Sequence, residues 1–239
     1  SLTDGGDYFS AFIANGPESI LFMLVFMALT YFVVSRGVKG GIEKANLVMM
    51  PALIIMAAGV AIYALTLPGA IEGLSYYFVP DFSAFSPELV ISALGQTFFT
   101  LSLAMGIMVT YGSYLDKTSK LTSSVGQIAG TTFGVSLLAG LMIIPAAFAA
   151  MGSGEAVAEN SGPTLMFVVL PQVFGGLGAM APIIGGVFFI LVLFAALTSS
   201  ISLVETCTAI IQDATHCKRS TALIVTIVWT TLMGVIVNL

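Results

Sequence analysis

Charge is what this sequence lacks. Only 8% of its 239 residues are Asp, Glu, Lys or Arg, against about 25% in a soluble domain. With 58% hydrophobic residues and a mean hydropathy of +1.06, polar side chains cannot cover a globular surface, so lipid must do so. Basic residues are scarcer than acidic ones, 7 against 12, which excludes a nucleic-acid-binding surface built on phosphate contacts. Two cysteines, Cys207 and Cys217, are too few for a disulfide framework and read as free thiols. The single histidine, His216, sits beside Cys217, Lys218 and Arg219 and reads as a solvated loop residue. No GxSxG, P-loop, HExxH or CxxC motif occurs. An intramembrane enzyme would need a catalytic pair, and Glu205 stands alone in its apolar stretch. The chain is therefore expected to be neither an enzyme nor the holder of an organic cofactor.

What is present is apolar and punctuated. The 25 Gly and 9 Pro are spread through hydrophobic segments, which favours closely packed, partly broken helices over a porin-like barrel. At about 20 residues per crossing, the length holds roughly six helices. Uncharged runs fall at 19–35, 45–71, 89–115, 121–154, 160–204 and 220–239. The run 160–204 is too long for one helix. Its first half carries Pro163, Pro171, Gly175, Gly176, Gly178 and Pro182. The stretch at about 153–179 is accordingly read as a re-entrant extracellular loop. Spans are expected at about 19–36, 44–67, 88–113, 121–150, 182–212 and 220–239, forming one partial transmembrane domain over 1–239.

The charges support this count. With six spans and the first residues outside, Arg36, Lys39, Lys44, Lys117, Lys120, Lys218 and Arg219 all fall on one side, as the positive-inside rule requires. Asp4, Asp7, Glu18, Glu72, Asp81, Glu88, Glu155 and Glu159 fall on the other. A crossing by residues 160–179 would destroy that separation. The acidic first stretch, 1–15, is unlike a signal peptide, which is basic and then apolar. The chain begins at Ser1 and its last span reaches Leu239, so it reads as a piece of something longer.

Three spans carry polar groups. Ala195, Thr198, Ser199, Ser202 and Glu205 recur at helical spacing and share one face. Small and hydroxyl residues of this kind commonly serve close helix packing. Hydroxyl and carbonyl oxygens also suit hard cations such as Na⁺. Glu205 is divided between a packing or gating role and a place near an ion path, since an intramembrane carboxylate is a functional candidate by default. The run Thr100–Gly106 mixes hydroxyls and small residues without a proline, and periodicity alone reads it as continuous helix. Thr132 and Ser136, four residues apart, share a face where hydroxyls ordinarily bond back to the helix backbone.

Gln96–Tyr114 (QTFFTLSLAMGIMVTYGSY), Phe194–Glu205 (FAALTSSISLVE) and Gly41–Pro51 (GIEKANLVMMP) leading to Leu65–Gly69 (LTLPG) resemble the neurotransmitter:sodium symporters, which have the leucine-transporter fold. The resemblance covers essentially the whole chain and implies helices four to nine of an all-α, inverted-repeat membrane protein. Helices one to three and ten to twelve are missing from it. Residues 1–16 resemble the end of the second extracellular loop, and 160–179 the fourth, which dips into the vestibule.

The resemblance also assigns roles. Ala195, Thr198 and Ser199 match the helix-eight share of one sodium site, and Thr100 a ligand of the other. Thr132 stands where the family commonly has Asn or Asp. Phe99, Thr100, Ser102, Met105, Ser199 and Leu203 match positions around the substrate, with helix six unwound at Thr100–Ala104. Gln96, Thr100 and Ser136 match positions around the chloride site of chloride-dependent members. The implied function is part of a Na⁺-coupled symporter for neutral, large hydrophobic or aromatic amino acids, working by alternating access in the plasma (inner) membrane. Its partners are the substrate, Na⁺, the bilayer and the missing helices, with no nucleic acid; both ends of the chain lie outside. The rival reading is a non-transporting fragment or scaffold.

Overall fold

In a computed structural model, residues 2–116, 118, 120–159, 162–175 and 181–238 are described. Lys117, Gly176 and Gly178, used above to place the charges and the re-entrant loop, lie outside them, as does Leu239. All regular structure among the described residues is helical. In chain order the helices are α1 (Leu2–Ala14), α2 (Gly16–Ser35), α3 (Glu43–Ala64), α4 (Ala70–Phe78), α5 (Pro87–Thr100), α6 (Ile107–Ser113), α7 (Leu121–Met151), α8 (Gly154–Glu159), α9 (Leu170–Gly175), α10 (Ala181–Thr215) and α11 (Arg219–Val237). A π-helical turn, Val38–Ile42, leads into α3, and another, Leu165–Val169, leads into α9.

The boundaries follow from local chemistry. Pro17, Pro87 and Pro182 sit in the first turns of α2, α5 and α10, where a missing N–H costs nothing. Ser86 caps α5 by accepting a hydrogen bond from the Leu89 amide at 3.2 Å, satisfying one of the free N–H groups at a helix start. Pro51 and Pro145 lie inside α3 and α7. Each removes one backbone bond, a loss that neighbouring helices can offset in a membrane protein.

Among the described residues, five helices are long and apolar enough to cross a membrane: Gly16–Ser35, Val38–Ala64, Leu121–Met151, Ala181–Thr215 and Arg219–Val237. The stretch 88–113, expected as a sixth span, is α5 and α6 separated by a non-helical turn. Continuous helix, the reading from periodicity, is therefore incorrect there. Residues 1–16, expected as loop, contain α1. Large apolar side chains such as Phe22, Val25, Phe32, Ile55 and Phe133 are exposed. Surfaces of this kind are stable against lipid or other apolar helices and not against water.

The contacts group the chain into two compact units. The first comprises Ser1–Leu21, Met49–Pro80 and Ser136–Ala195; the second comprises Phe22–Val48, Asp81–Val135 and Ala196–Leu239. Since lipid tails are as apolar as leucine, packing inside each unit depends on close fit and polar contacts more than on the hydrophobic effect. In the first unit Ala147, Phe148, Val157, Leu165 and Val169 form a buried cluster. There α4 approaches α7 so closely that a Cβ on Gly73 would lie 2.8 Å from the Phe148 Cβ and 2.9 Å from the Pro145 Cα. In the second unit Val34, Ile42, Ile201, Val204 and Leu223 form the corresponding cluster. Two hydroxyl pairs tie its helices: Thr30 with Ser200 at 3.1 Å, and Thr208 with Thr226 at 3.5 Å.

Candidate functional site

The helical break is the first feature of the candidate site, and it lies in the second unit. α5 ends at Thr100 and α6 begins at Ile107. The Leu101 amide bonds back to the Thr97 carbonyl at 2.9 Å, Ser102 to Phe99 at 2.9 Å and Leu103 to Phe98 at 3.0 Å. The chain then leaves the helix. Ser102 has φ 55° and Gly106 φ 71°, so left-handed residues bracket the turn. That conformation is natural for glycine and costs serine on the order of 1 kcal/mol. A non-glycine residue held there is a marker of a functional turn. The break also frees backbone N–H and C=O groups at two helix ends, which membrane proteins tolerate only where protein or a polar cavity receives them.

The predicted substrate residues are distributed over this turn and α10. Phe99 and Thr100 close α5 and are exposed; Ser102 and Met105 lie in the turn, half-buried. The Gln96 amide donates to the Thr100 hydroxyl at 3.4 Å, joining two of the three residues matched to chloride. Ser136, the third, lies in the first unit and is exposed; Thr132 lies in the second, half-buried.

Ala195, Thr198, Ser199, Ser202, Leu203 and Glu205 all lie in the unbroken helix α10. The Ser202 hydroxyl donates to the Thr198 carbonyl at 3.1 Å and pairs with the Tyr111 hydroxyl at 3.2 Å. This links α6 to α10. At the end of the turn, a Cβ on Gly106 would meet the Thr206 Cγ2 at 3.6 Å, an ordinary contact. The turn and the hydroxyl-bearing part of α10 are thus neighbours. Beside them an apolar cavity of about 260 Å³ is lined by Leu101, Leu103, Met108 and Tyr111, and by Val125 and Ile128 of α7. Almost nothing in its lining can bind an ion.

A second feature escaped the sequence reading. Glu205 is fully buried. Its Oε1 accepts from the Tyr114 hydroxyl at 2.7 Å and from Arg219 Nη1 at 2.8 Å, and its Oε2 accepts from Arg219 Nη2 at 2.6 Å. Nη2 also reaches the Val34 carbonyl at 3.3 Å, near the C-terminal end of α2. A cation is favoured at that end, whereas at the start of its own helix, α11, Arg219 opposes the dipole. The carboxylate offsets this. The arrangement is a paired fork of charge-assisted bonds that gathers α2, α10, α11 and Tyr114, the residue that follows α6. The readable signal was Glu205 itself, because a buried carboxylate without a partner is very costly.

Known proteins share this fold. The model of the sodium:neurotransmitter symporter family matches residues 15–239. An uncharacterized sodium-dependent transporter of Bacillus subtilis is 44% identical over 214 residues, covering 90% of this chain and 46% of that protein. An uncharacterized sodium-dependent transporter of Haemophilus influenzae is 38% identical, over 95% of this chain and 49% of its own length. The crystal structure of MhsT in complex with L-phenylalanine superposes with a TM-score of 0.85 at 41% identity, covering 98% of this chain and 52% of MhsT. The chain thus spans about half the length of these relatives. The family is one of transporters and not of enzymes. With the spans, the interrupted helix and the hydroxyl-bearing α10 in place, this integral membrane chain belongs to the sodium:neurotransmitter symporter family.

Proposed function

We propose that the chain is the middle part of a Na⁺-coupled symporter for neutral amino acids, with large hydrophobic and aromatic side chains preferred. The observation that carries this reading is the interrupted helix at Leu101–Gly106, with left-handed Ser102 and Gly106, beside the hydroxyl-bearing stretch of α10. Oxygen ligands from hydroxyls and freed carbonyls replace the hydration water of a hard cation. Ala195, through its carbonyl, and Thr198 and Ser199, through their hydroxyls, contribute to one sodium site; Thr100 contributes to a second, with Thr132 on α7 as its weakest member. Phe99, Thr100, Ser102, Met105, Ser199 and Leu203 contribute to the substrate pocket. Gln96, Thr100 and Ser136 serve chloride if the parent uses it. The remaining ligands come from helices one to three, outside this chain.

Mechanistically, the pocket at mid-membrane is exposed to one side and then the other by rocking of one helical group against the rest. Na⁺ binding biases that two-state equilibrium only in so far as it binds one state better. The protein resides in the plasma (inner) membrane with both chain ends outside, which puts the basic residues inside. MhsT was crystallised with L-phenylalanine, which supports an apolar substrate. No charged side chain is among the residues assigned to the pocket. Thr198→Val together with Ser199→Ala, made in the full-length parent, tests the reading. The pair removes two hydroxyl oxygens and keeps the side-chain volumes nearly constant. The Na⁺ concentration needed for half-maximal amino-acid uptake should rise several-fold; an unchanged Na⁺ requirement would leave these hydroxyls a packing role only.

A further inference from the structure

A run of aromatic rings crosses the first unit from its N-terminal helix. The Phe9 ring of α1 stacks on Phe167 with centroids 5.5 Å apart and planes 10° from parallel. Phe167 in turn stacks on Phe189 of α10, at 6.4 Å and 17°. Phe189 meets Phe188 edge-on at 5.6 Å, and Phe188 meets Phe174 of α9 at 5.3 Å. Phe188 and Phe174 are buried, while Phe9 and Phe167 are only half-buried. Phe167 therefore stacks with one ring from α1 and one from α10. It lies within the π-helical turn Leu165–Val169, a widened turn of the kind that marks functional segments.

Residues 163–175 form one helical piece. Its inner side is anchored by Leu165 and Val169 in the cluster with Ala147 and Phe148. Gly162 precedes it with φ 70°, and Gly152 precedes α8 with φ 74°; a Cβ on either would meet nothing within 4 Å. Left-handed, uncrowded glycines on either side of α8 are points where the backbone can turn at little steric cost. α1 packs on both the π-helical turn and α9. Its end is fastened in sequence to α2, where the Ser19 hydroxyl donates to the Phe12 carbonyl at 2.9 Å.

We propose that α1 is a strap: the Phe9–Phe167–Phe189 stack clamps the 163–175 segment onto the Ala181–Ala195 part of α10, and separation of Phe9 from Phe167 is what frees the segment. The clamp stands on the ring geometry alone. Its part in transport, as a restraint on the extracellular entrance, rests on the alternating-access reading above.

Hydrogen–deuterium exchange of peptides covering 163–175 tests it, with the full-length parent in lipid nanodiscs. Phe9→Ala should speed exchange there about tenfold, Phe167→Ala, which loses both stacked pairs, at least as much, and the double variant no more than Phe167→Ala, because the Phe9–Phe167 pair is already lost in either single. Phe9→Leu keeps apolar bulk without a stacking ring and should also speed exchange. Phe9→Trp keeps a ring and should stay near wild type. Unchanged exchange in Phe9→Ala, or strictly additive effects in the double variant, would overturn the strap. Wild-type uptake is measured on the same preparation. Absence of Na⁺-driven uptake would overturn the transport reading and leave the exchange comparison standing; normal uptake with unaltered exchange in Phe9→Ala would overturn the strap alone.

Discussion

Glu205 and Arg219 face each other across the α10–α11 connection as a two-point fork, with contacts of 2.8 and 2.6 Å. The Glu205 side chain is wholly buried and the Arg219 side chain is 31% exposed. The pair is therefore not a surface ion pair, which would contribute about 0–1 kcal/mol.

Breaking the pair from one side should be costly. Arg219→Met leaves a buried carboxylate with only Tyr114 as a donor, and should destabilise the folded parent by about 3–5 kcal/mol. Adding Glu205→Gln to that variant removes the stranded charge and should restore part of the loss. Thermal unfolding in detergent reads both. A double variant as unstable as the sum of the two singles would show that the residues act independently. Arg219→Lys should not substitute fully, because an ammonium cannot supply the planar fork.

The turn between α5 and α6 makes a second prediction. Gly106→Ala places a side chain at φ 71° and should cost about 1–2 kcal/mol. The added Cβ would make only an ordinary contact with Thr206, so the cost is backbone strain and not collision. Ser102→Gly relaxes the other left-handed position and should stabilise the fold, with reduced substrate affinity because the turn is less preorganised. Denaturation midpoints and substrate competition on the same variants separate these effects.

A third concerns acid. Asp81 Oδ1 accepts from the Ser83 amide at 2.9 Å and from the Ser83 hydroxyl at 2.6 Å. These bonds, the hydroxyl's first, hold the Asp81 carboxyl below its ordinary range. A carboxyl lowered on folding stabilises above its unfolded pKa and loses that contribution as pH falls through the folded value. The turn Phe82–Ala84 should thus keep its order at neutral pH and loosen only below about pH 4. Amide exchange at Ser83 should show this acid step in the wild type and lose it in Asp81→Ala.

Met105 carries a fourth. An unbranched thioether with three rotatable bonds adapts to the shape it meets, and Leu203 and Phe99 are also apolar. Leucine, methionine, phenylalanine and tryptophan should all compete for uptake, while lysine and glutamate should not, since an unpaired charge at mid-membrane costs several kcal/mol. Strong competition by glycine and alanine alone would contradict the large pocket. Met105→Phe should narrow the range without abolishing uptake.

Among the described residues, the five helices long and apolar enough to cross a membrane fall on stretches that uncharged runs mark directly in the sequence. The break at Leu101–Gly106 was not legible from periodicity, since no proline interrupts it and left-handed Ser102 has no signature in sequence. Only the resemblance of Thr100–Ala104 to a known unwound helix suggested it. α1 was missed because its acidic, glycine-containing start reads as loop; in the fold Phe9 is held by a distant ring, Phe167. The role of Arg219 was hidden because its charge served the orientation argument equally well whether paired or free. Its partner lies a helix end away, where boundaries are uncertain by a residue or two.

Coupling to Na⁺ is tested most directly by accumulation of labelled phenylalanine in proteoliposomes containing the full-length parent, with and without an inward Na⁺ gradient. The account predicts accumulation against a concentration gradient only when Na⁺ is higher outside, and none when K⁺ replaces it. Equal accumulation in K⁺, or uptake that merely equilibrates regardless of Na⁺, would contradict it.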